Sequence, residues 1–180
     1  MLLVYIVKLM NIGIISDTHD DLSSLKNAID AFNERRVDCV IHAGDYVFPG
    51  VVKQFKNLNG KLVGVLGNND GERLVLLRNF QEIGGELLGE FGDLKLDGLR
   101  IAIYHGTSDK ITEALITSQL YDLVIYGHTH KKRDDKIQNT LVLNPGCAHK
   151  DFPNIDGIIE AEPSIIIFNS LDKSYQFIHL

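Results

Sequence analysis

Short, nearly unbroken apolar runs recur along the first two thirds of the chain, and each gives way to a polar segment that usually carries glycine. Asn11 to Ser16 ends in Ser16-Asp17-Thr18-His19, Val37 to Ala43 runs into Gly44-Asp45, and Lys61 to Leu66 into Gly67-Asn68-Asn69-Asp70. Runs of this kind read as strands buried on both faces. Between them the apolar positions switch to helical spacing. Leu22, Leu25, Ala28, Ile29 and Phe32 share one face, with Asp20 and Asp21 suited to the first turn. Pro49 begins a helix through Phe55, and Glu72 to Gln81 forms another, closed by Gly84-Gly85. Strand followed by helix, repeated, is the signature of an α/β unit.

The texture changes after Glu86. Leu87 to Phe91 and Leu94 to Leu96 read as short strands, and Asp97-Gly98 as a hairpin turn into Leu99 to Tyr104, which ends at His105-Gly106. Asp109 is placed to cap a helix through Gln119, and Tyr121 to Tyr126 is a strand that delivers Gly127-His128-Thr129-His130. Lys132 to Gln138 pairs with Leu141 to Leu143 across Asn139-Thr140, and Ile165 to Asn169 with Ser174 to His179. The second half is therefore richer in antiparallel strands. Asn144 to Asp156, with Pro145 and Pro153, is the longest irregular piece, and loops of that length within compact domains are often functional.

With 180 residues, 44% of them hydrophobic, the chain suits a single domain spanning residues 1–180 with a substantial core. The first nine residues are an apolar stretch too short to span a bilayer and read as an N-terminal extension. A net charge of −6 argues against nonspecific binding to nucleic acid or membrane. The triplet Lys131, Lys132, Arg133 reads as a solvated edge. Cys39 and Cys147 have no metal or disulfide spacing, which makes a reducing, cytoplasmic setting the expectation. Apolar edges in the second half permit a homodimer.

The candidate chemistry sits at the strand ends. His128 and His130, one residue apart after a strand, are expected to point to one side of an extended backbone. Asp17, His19, Asp45, Asn68 and His105 occupy equivalent places after other strands, so that seven oxygen and imidazole groups would converge on one edge, where open α/β sheets bind ligands. One metal rarely takes seven protein ligands, whereas two can. This mixture suits borderline first-row divalent ions, with a carboxylate, here Asp45, as the bridge. Each residue also has a plain structural reading: a helix cap for Asp17 or Asp20, a turn for Asn68, a buried hydrogen-bonding side chain for His105. Their shared placement favours the metal centre.

Asp17-x-His19, Gly44-Asp45, Gly67-Asn68-Asn69-Asp70, His105-Gly106 and Gly127-His128-Thr129-His130, in this order, resemble the motif set of the calcineurin-like metallophosphoesterases. The likeness spans residues 10 to about 150 and is strongest to the small single-domain phosphodiesterase branch. It implies an α/β (α+β) fold, a four-layer αββα sandwich of two mixed β-sheets flanked by helices. By the same resemblance one metal is held by Asp17, His19, Asp45 and His130, and the other by Asp45, Asn68, His105 and His128. The two divalent ions are manganese first, with nickel, iron or zinc as alternatives. The implied reaction is hydrolysis of a small phosphodiester through attack of a metal-bridging hydroxide.

Many relatives carry a histidine at the position of Asn69, backed by the acid at Asp70, to protonate the leaving group. Asparagine cannot donate that proton at neutral pH, although it can donate a hydrogen bond to a phosphate oxygen. Loss of a general acid typically costs about 10² to 10⁴ in rate. His149 is weighed as a substitute and read as a surface-loop histidine, while His42 on its buried strand is read as a core or supporting residue. The rival function is a catalytically weak or inactive metal-binding scaffold for protein partners, as in a retromer subunit of similar fold. A nuclease is disfavoured by the lack of a basic groove.

Overall fold

The structure, a computed structural model, describes residues 10–154, 157–160 and 162–180. The expected extension over residues 1–9 lies outside them, as does Asp156 at the end of the long loop. Three parallel strands open the chain: β1 (Asn11–Ile15), β2 (Cys39–His42) and β3 (Lys61–Gly64), each a little shorter than its apolar run. In register, Ile15 lies beside His42 and His42 beside Gly64, so the polar segments that follow leave the sheet at one level. β4 (Glu86–Leu87) extends this sheet on one side. The closing hairpin, β12 (Ser164–Asn169) and β13 (Tyr175–His179), extends it on the other, in the order β13-β12-β1-β2-β3-β4.

The second sheet has the order β5-β6-β7-β9-β8, from β5 (Phe91–Leu96), β6 (Leu99–Tyr104), β7 (Leu123–Ile125), β8 (Lys132–Ile137) and β9 (Thr140–Pro145). Asp97 and Gly98 both have positive φ, the conformation required by a tight hairpin between twisted strands. The irregular segment expected over Asn144 to Asp156 is shorter than anticipated. β9 continues to Pro145, and β10 (Asp151–Asn154) pairs with β11 (Gly157–Glu160).

Three apolar layers hold these parts together. Ile12, Ile14, Ile41 and Val63 of the first sheet meet Ile101, Ile103, Ile125 and Leu143 of the second, which explains why the central strands are apolar on both faces. On the outer face of the first sheet, helix α1 (Leu22–Glu34) buries Leu25, Ala28, Ile29 and Phe32 beside the 3-10 helix Pro49–Asn57 and α2 (Arg73–Glu82). Leu22, counted on the apolar face of α1, is the first residue of the helix and is exposed. Helix α3 (Asp109–Thr117) covers the other face through Ile116, which packs with Val124 and Val142. The result is a four-layer αββα sandwich. Asp109 is the first residue of α3 rather than its cap; Ser108 holds the capping position.

Candidate metal centre

The loops after β1, β2 and β3 of one sheet and after β6 and β7 of the other meet at the same end of the sandwich. Asp17 and His105 are fully buried, Asp45 nearly so, and His19, His128 and His130 are partly exposed. Asp45 Oδ2 lies between two imidazoles, 3.5 Å from His19 Nε2 and 3.3 Å from His105 Nε2. Asp17 Oδ1 is 3.2 Å from His130 Nε2 and 3.8 Å from His19 Nε2. The His128 ring stands 5.2 Å from the His105 ring, and the His130 ring 5.2 Å from that of His19.

The two histidines of the closing motif therefore divide between neighbours instead of sharing one. Their backbone is not extended: His128 and His130 both have left-handed φ, 65° and 55°. Asp17, His19 and Asp45 are left-handed too. Conformations of this kind cost free energy in non-glycine residues and gather where surrounding structure imposes them for function. Hydrogen bonds supply that constraint here. Asp17 Oδ2 accepts from Ser16 Oγ at 2.5 Å and from the His128 backbone N–H at 3.0 Å, joining the two sheets' loops directly. A Cβ at Gly127 would stand 1.9 Å from Ser16 Oγ and 2.5 Å from Asp17 Oδ2, so this position must be glycine.

Gly67 has the same role toward Asp45, since a Cβ there would lie 2.1 Å from Asp45 Oδ1. Asn69 grips that carboxylate, donating its backbone N–H to Oδ1 at 2.9 Å and Nδ2 to Oδ2 at 2.7 Å. Asn68 is exposed at the rim. It lines a cleft of about 320 Å³ with Leu66, Arg73, Glu90, Tyr104 and Thr107, and among the described residues no hydrogen bond ties its side chain to the cluster. Asp70, two percent exposed, accepts the backbone N–H groups of Asp45, Tyr46, Val47 and Gly67.

His105 keeps its Nδ1 on the Ala43 carbonyl at 2.8 Å, which turns Nε2 toward the two carboxylates. Asp17 Oδ1 and His105 Nε2 are buried and complete no hydrogen bond; the 3.3 Å approach of His105 to Asp45 is not aligned as one. Buried atoms in that condition, one anionic and one an imidazole nitrogen, fit a cation. The electrostatics agree. Burial raises the pKa of Asp17, but the His130 and His19 imidazoles beside it outweigh that and hold the carboxyl well below the usual range. Asp45 is held low against burial in the same way by His105 and His19. Conversely, burial would lower His19, yet Asp17 and Asp45 raise it to about 9. His105 is raised as well, by Asp45 and Asp17 against its burial. This pocket draws positive charge to its centre, protons in the absence of an ion.

His149 is a correction to the sequence reading. It is two percent exposed, and its ring lies 4.7 Å from that of His19 and 5.2 Å from that of His130. Its pattern in the sequence was indistinguishable from that of a solvated loop histidine, because burial of the segment depends on β12 and on the loop after β1. His42 is fully buried, stacks on Tyr46 at 3.9 Å and accepts the Gly44 N–H at Nδ1, the supporting role expected of it.

Residues 10–159 match the family model of the calcineurin-like phosphoesterase superfamily domain. A phosphodiesterase of Methanocaldococcus jannaschii is 40% identical over 173 residues, covering 95% of this chain and 99% of its own. A probable metallophosphoesterase of Methanothermobacter thermautotrophicus is 30% identical, with 76% of each chain covered. Among solved structures, an archaeal phosphodiesterase with 39% identity superposes with a TM-score of 0.86 over 95% of this chain and all of its own. Vps29 of Entamoeba histolytica, solved with zinc, shares the fold at a TM-score of 0.65 and 19% identity, over 95% of this chain and 98% of that one.

Proposed function

Since this chain belongs to the calcineurin-like phosphoesterase superfamily, we propose that it is a phosphodiesterase working at a dinuclear metal centre bridged by Asp45. Asp17, His19, Asp45 and His130 would hold one divalent cation, and Asp45, Asn68, His105 and His128 the other. The observation that carries this reading is Asp45 Oδ2 between His19 Nε2 and His105 Nε2, one carboxylate oxygen facing an imidazole of each set. The mixed carboxylate, amide and imidazole donors suit borderline first-row divalent ions, and the resemblance to the family puts manganese first among them, with nickel, iron or zinc as alternatives. When bound, such a pair supplies Lewis acidity and a water acidic enough to be ionised near neutral pH.

The chain's own residues do the rest. Asp17 and Asp45 offset only half of the charge of two divalent ions, leaving about two positive charges to attract a phosphate to an otherwise acidic protein. Ser16, Asn69 and the Gly67 and Gly127 backbones fix the two carboxylates, so little reorganisation accompanies the reaction. Asn69 directs an amide N–H at Asp45 and has a second donor for a phosphate oxygen, but no proton to transfer. The expected substrate is therefore a small phosphodiester with a good leaving group; the name of the M. jannaschii relative, a phosphodiesterase, supports the phosphodiester. The two unpaired, buried cysteines favour a cytoplasmic setting.

The same Asn69 favours the second reading, a metal-binding scaffold with little turnover. Metal content together with hydrolysis of bis-p-nitrophenyl phosphate and p-nitrophenyl phosphate separates the two. The wild type should hold two ions per chain and prefer the diester. Asp45→Ala and His130→Ala should lose more than the about 10- to 100-fold typical of removing an outer supporting residue. Equal rates for chelator-stripped protein, both variants and metal-loaded wild type would reject the dinuclear reading.

A further inference from the structure

We propose that His149 is an additional metal ligand, a third imidazole that caps the ion held by His19 and His130. This rests on the dinuclear reading and extends it, since neither set of four ligands includes His149. The rings of His19, His130 and His149 form a triangle with centroids 4.7 to 5.2 Å apart, none stacked flat on another. One ring nitrogen from each lies within 4.8 Å of the other two, a spacing that a single central ion spans. His149 is also the most buried of the three, so its imidazole has been taken from water into contact with two other imidazoles, each of which faces Asp17.

Its backbone is fastened on both sides to the loop that carries Asp17 and His19. The Ala148 N–H is donated to the carbonyls of Ser16 and Asp17 at 3.0 and 3.1 Å, and the Lys150 N–H to Asp21 Oδ2 at 3.2 Å. Upstream, Asn144 Nδ2 is donated to the Gly127 carbonyl at 2.9 Å and to Thr129 Oγ1 at 3.1 Å, which ties the same segment to the loop of His130. His149 is thus held by contacts to both loops whose histidines it faces. A ligand anchored in this way is preorganised for the ion.

A third imidazole changes what the site selects. Added nitrogen donors favour nickel, cobalt and zinc over manganese and magnesium, because the harder ions gain less from exchanging oxygen for imidazole. His149 should therefore discriminate between metals more than it raises affinity overall.

The chain has seven histidines, and two, His42 and His179, lie outside the cluster. In cobalt-loaded wild type, five imidazoles should show ligand-type contact shifts in the proton NMR spectrum; four such imidazoles would overturn the proposal without any variant. Chelator competition on His149→Ala and His149→Phe, the second keeping the ring's volume, should show zinc and nickel affinity down by more than 10-fold and manganese affinity by less. Unchanged zinc affinity in both variants, with a raised KM for the diester, would mean that His149 meets the substrate and not the metal. Asp45→Ala and His19→Ala serve as controls. If they also leave metal affinity unchanged, the dinuclear reading itself has failed; if they lower it and the His149 variants do not, only the assignment of His149 has.

Discussion

The Asp70 carboxylate receives four backbone N–H groups, two at each oxygen, and all belong to the loops that carry Asp45 and Asn68. Asp70→Asn would turn an NH₂ group toward two of those donors and leave them unsatisfied in a buried place. A cost of about 2 kcal/mol or more follows, since each unmet buried donor costs on the order of 1–3 kcal/mol. Urea unfolding measures it, and metal affinity should fall with it as the Asp45 loop loosens. An Asp70→Asn protein with wild-type stability would mean that other groups hold the loop. His42 offers a cleaner test. Its Nδ1 accepts the Gly44 N–H, which puts the ring proton on Nε2 beside Thr18 Oγ1, and burial lowers its pKa to about 3. The folded pKa lies below the ordinary value of 6.5, so the unfolded chain takes up this proton first and stability drains away as pH falls from about 6.5 toward 3. The His42 ring resonances should accordingly not titrate between pH 8 and pH 5. A midpoint above 6 would contradict the buried neutral ring.

At the scale of elements, the N-terminus of α1 ties fold to site. Asp21 caps the helix through the Ser23 and Ser24 N–H groups and also receives the Lys150 N–H. Asp21→Ala should cost about 1–2 kcal/mol as a lost cap, and the loosened 148–150 segment should exchange its amide hydrogens faster than in the wild type. If exchange there is unchanged, the segment is held without Asp21. This link explains which parts of the structure could be read in advance. Strand order of burial, the helical face of Leu25, Ala28, Ile29 and Phe32, and the polar residues at strand ends are all periodic or adjacent features, and they were legible. The left-handed backbone at Asp17, Asp45, His128 and His130 was not, because aspartate and histidine carry no glycine-like mark of such a conformation. The burial of His149 was hidden for another reason: it arises from contacts to Ser16, Asp17 and Asp21, more than 120 residues away. Asn68 was legible as a strand-end residue, yet its exposed position at the rim was not.

For the molecule as a whole, the candidate centre is shared between the two sheets. Asp17, His19 and Asp45 follow strands of the first, and His105, His128 and His130 follow strands of the second. Away from the apolar interior, a few hydrogen bonds join the loops of the two sheets, such as His128 N–H to Asp17 Oδ2 and Ala148 N–H to the Ser16 and Asp17 carbonyls. Ions bound there would cross-link the sheets at the end where five loops leave them, so metal binding and cohesion between the halves should be coupled. A ligand present at 100 to 1,000 times its dissociation constant stabilises the folded state by about 2.7 to 4.1 kcal/mol. For a chain of this length that corresponds to a fall in Tm on the order of 5–15 °C when the metal is stripped. The loss should be distributed in a particular way. Amide exchange should rise together in the segments after β1, β2, β6 and β7, while the strands between the sheets, held by Ile12, Ile14, Ile101 and Ile125, stay protected. Exchange that rises in the loops of one sheet alone would show that the ions sit within that sheet's loops and do not join the two.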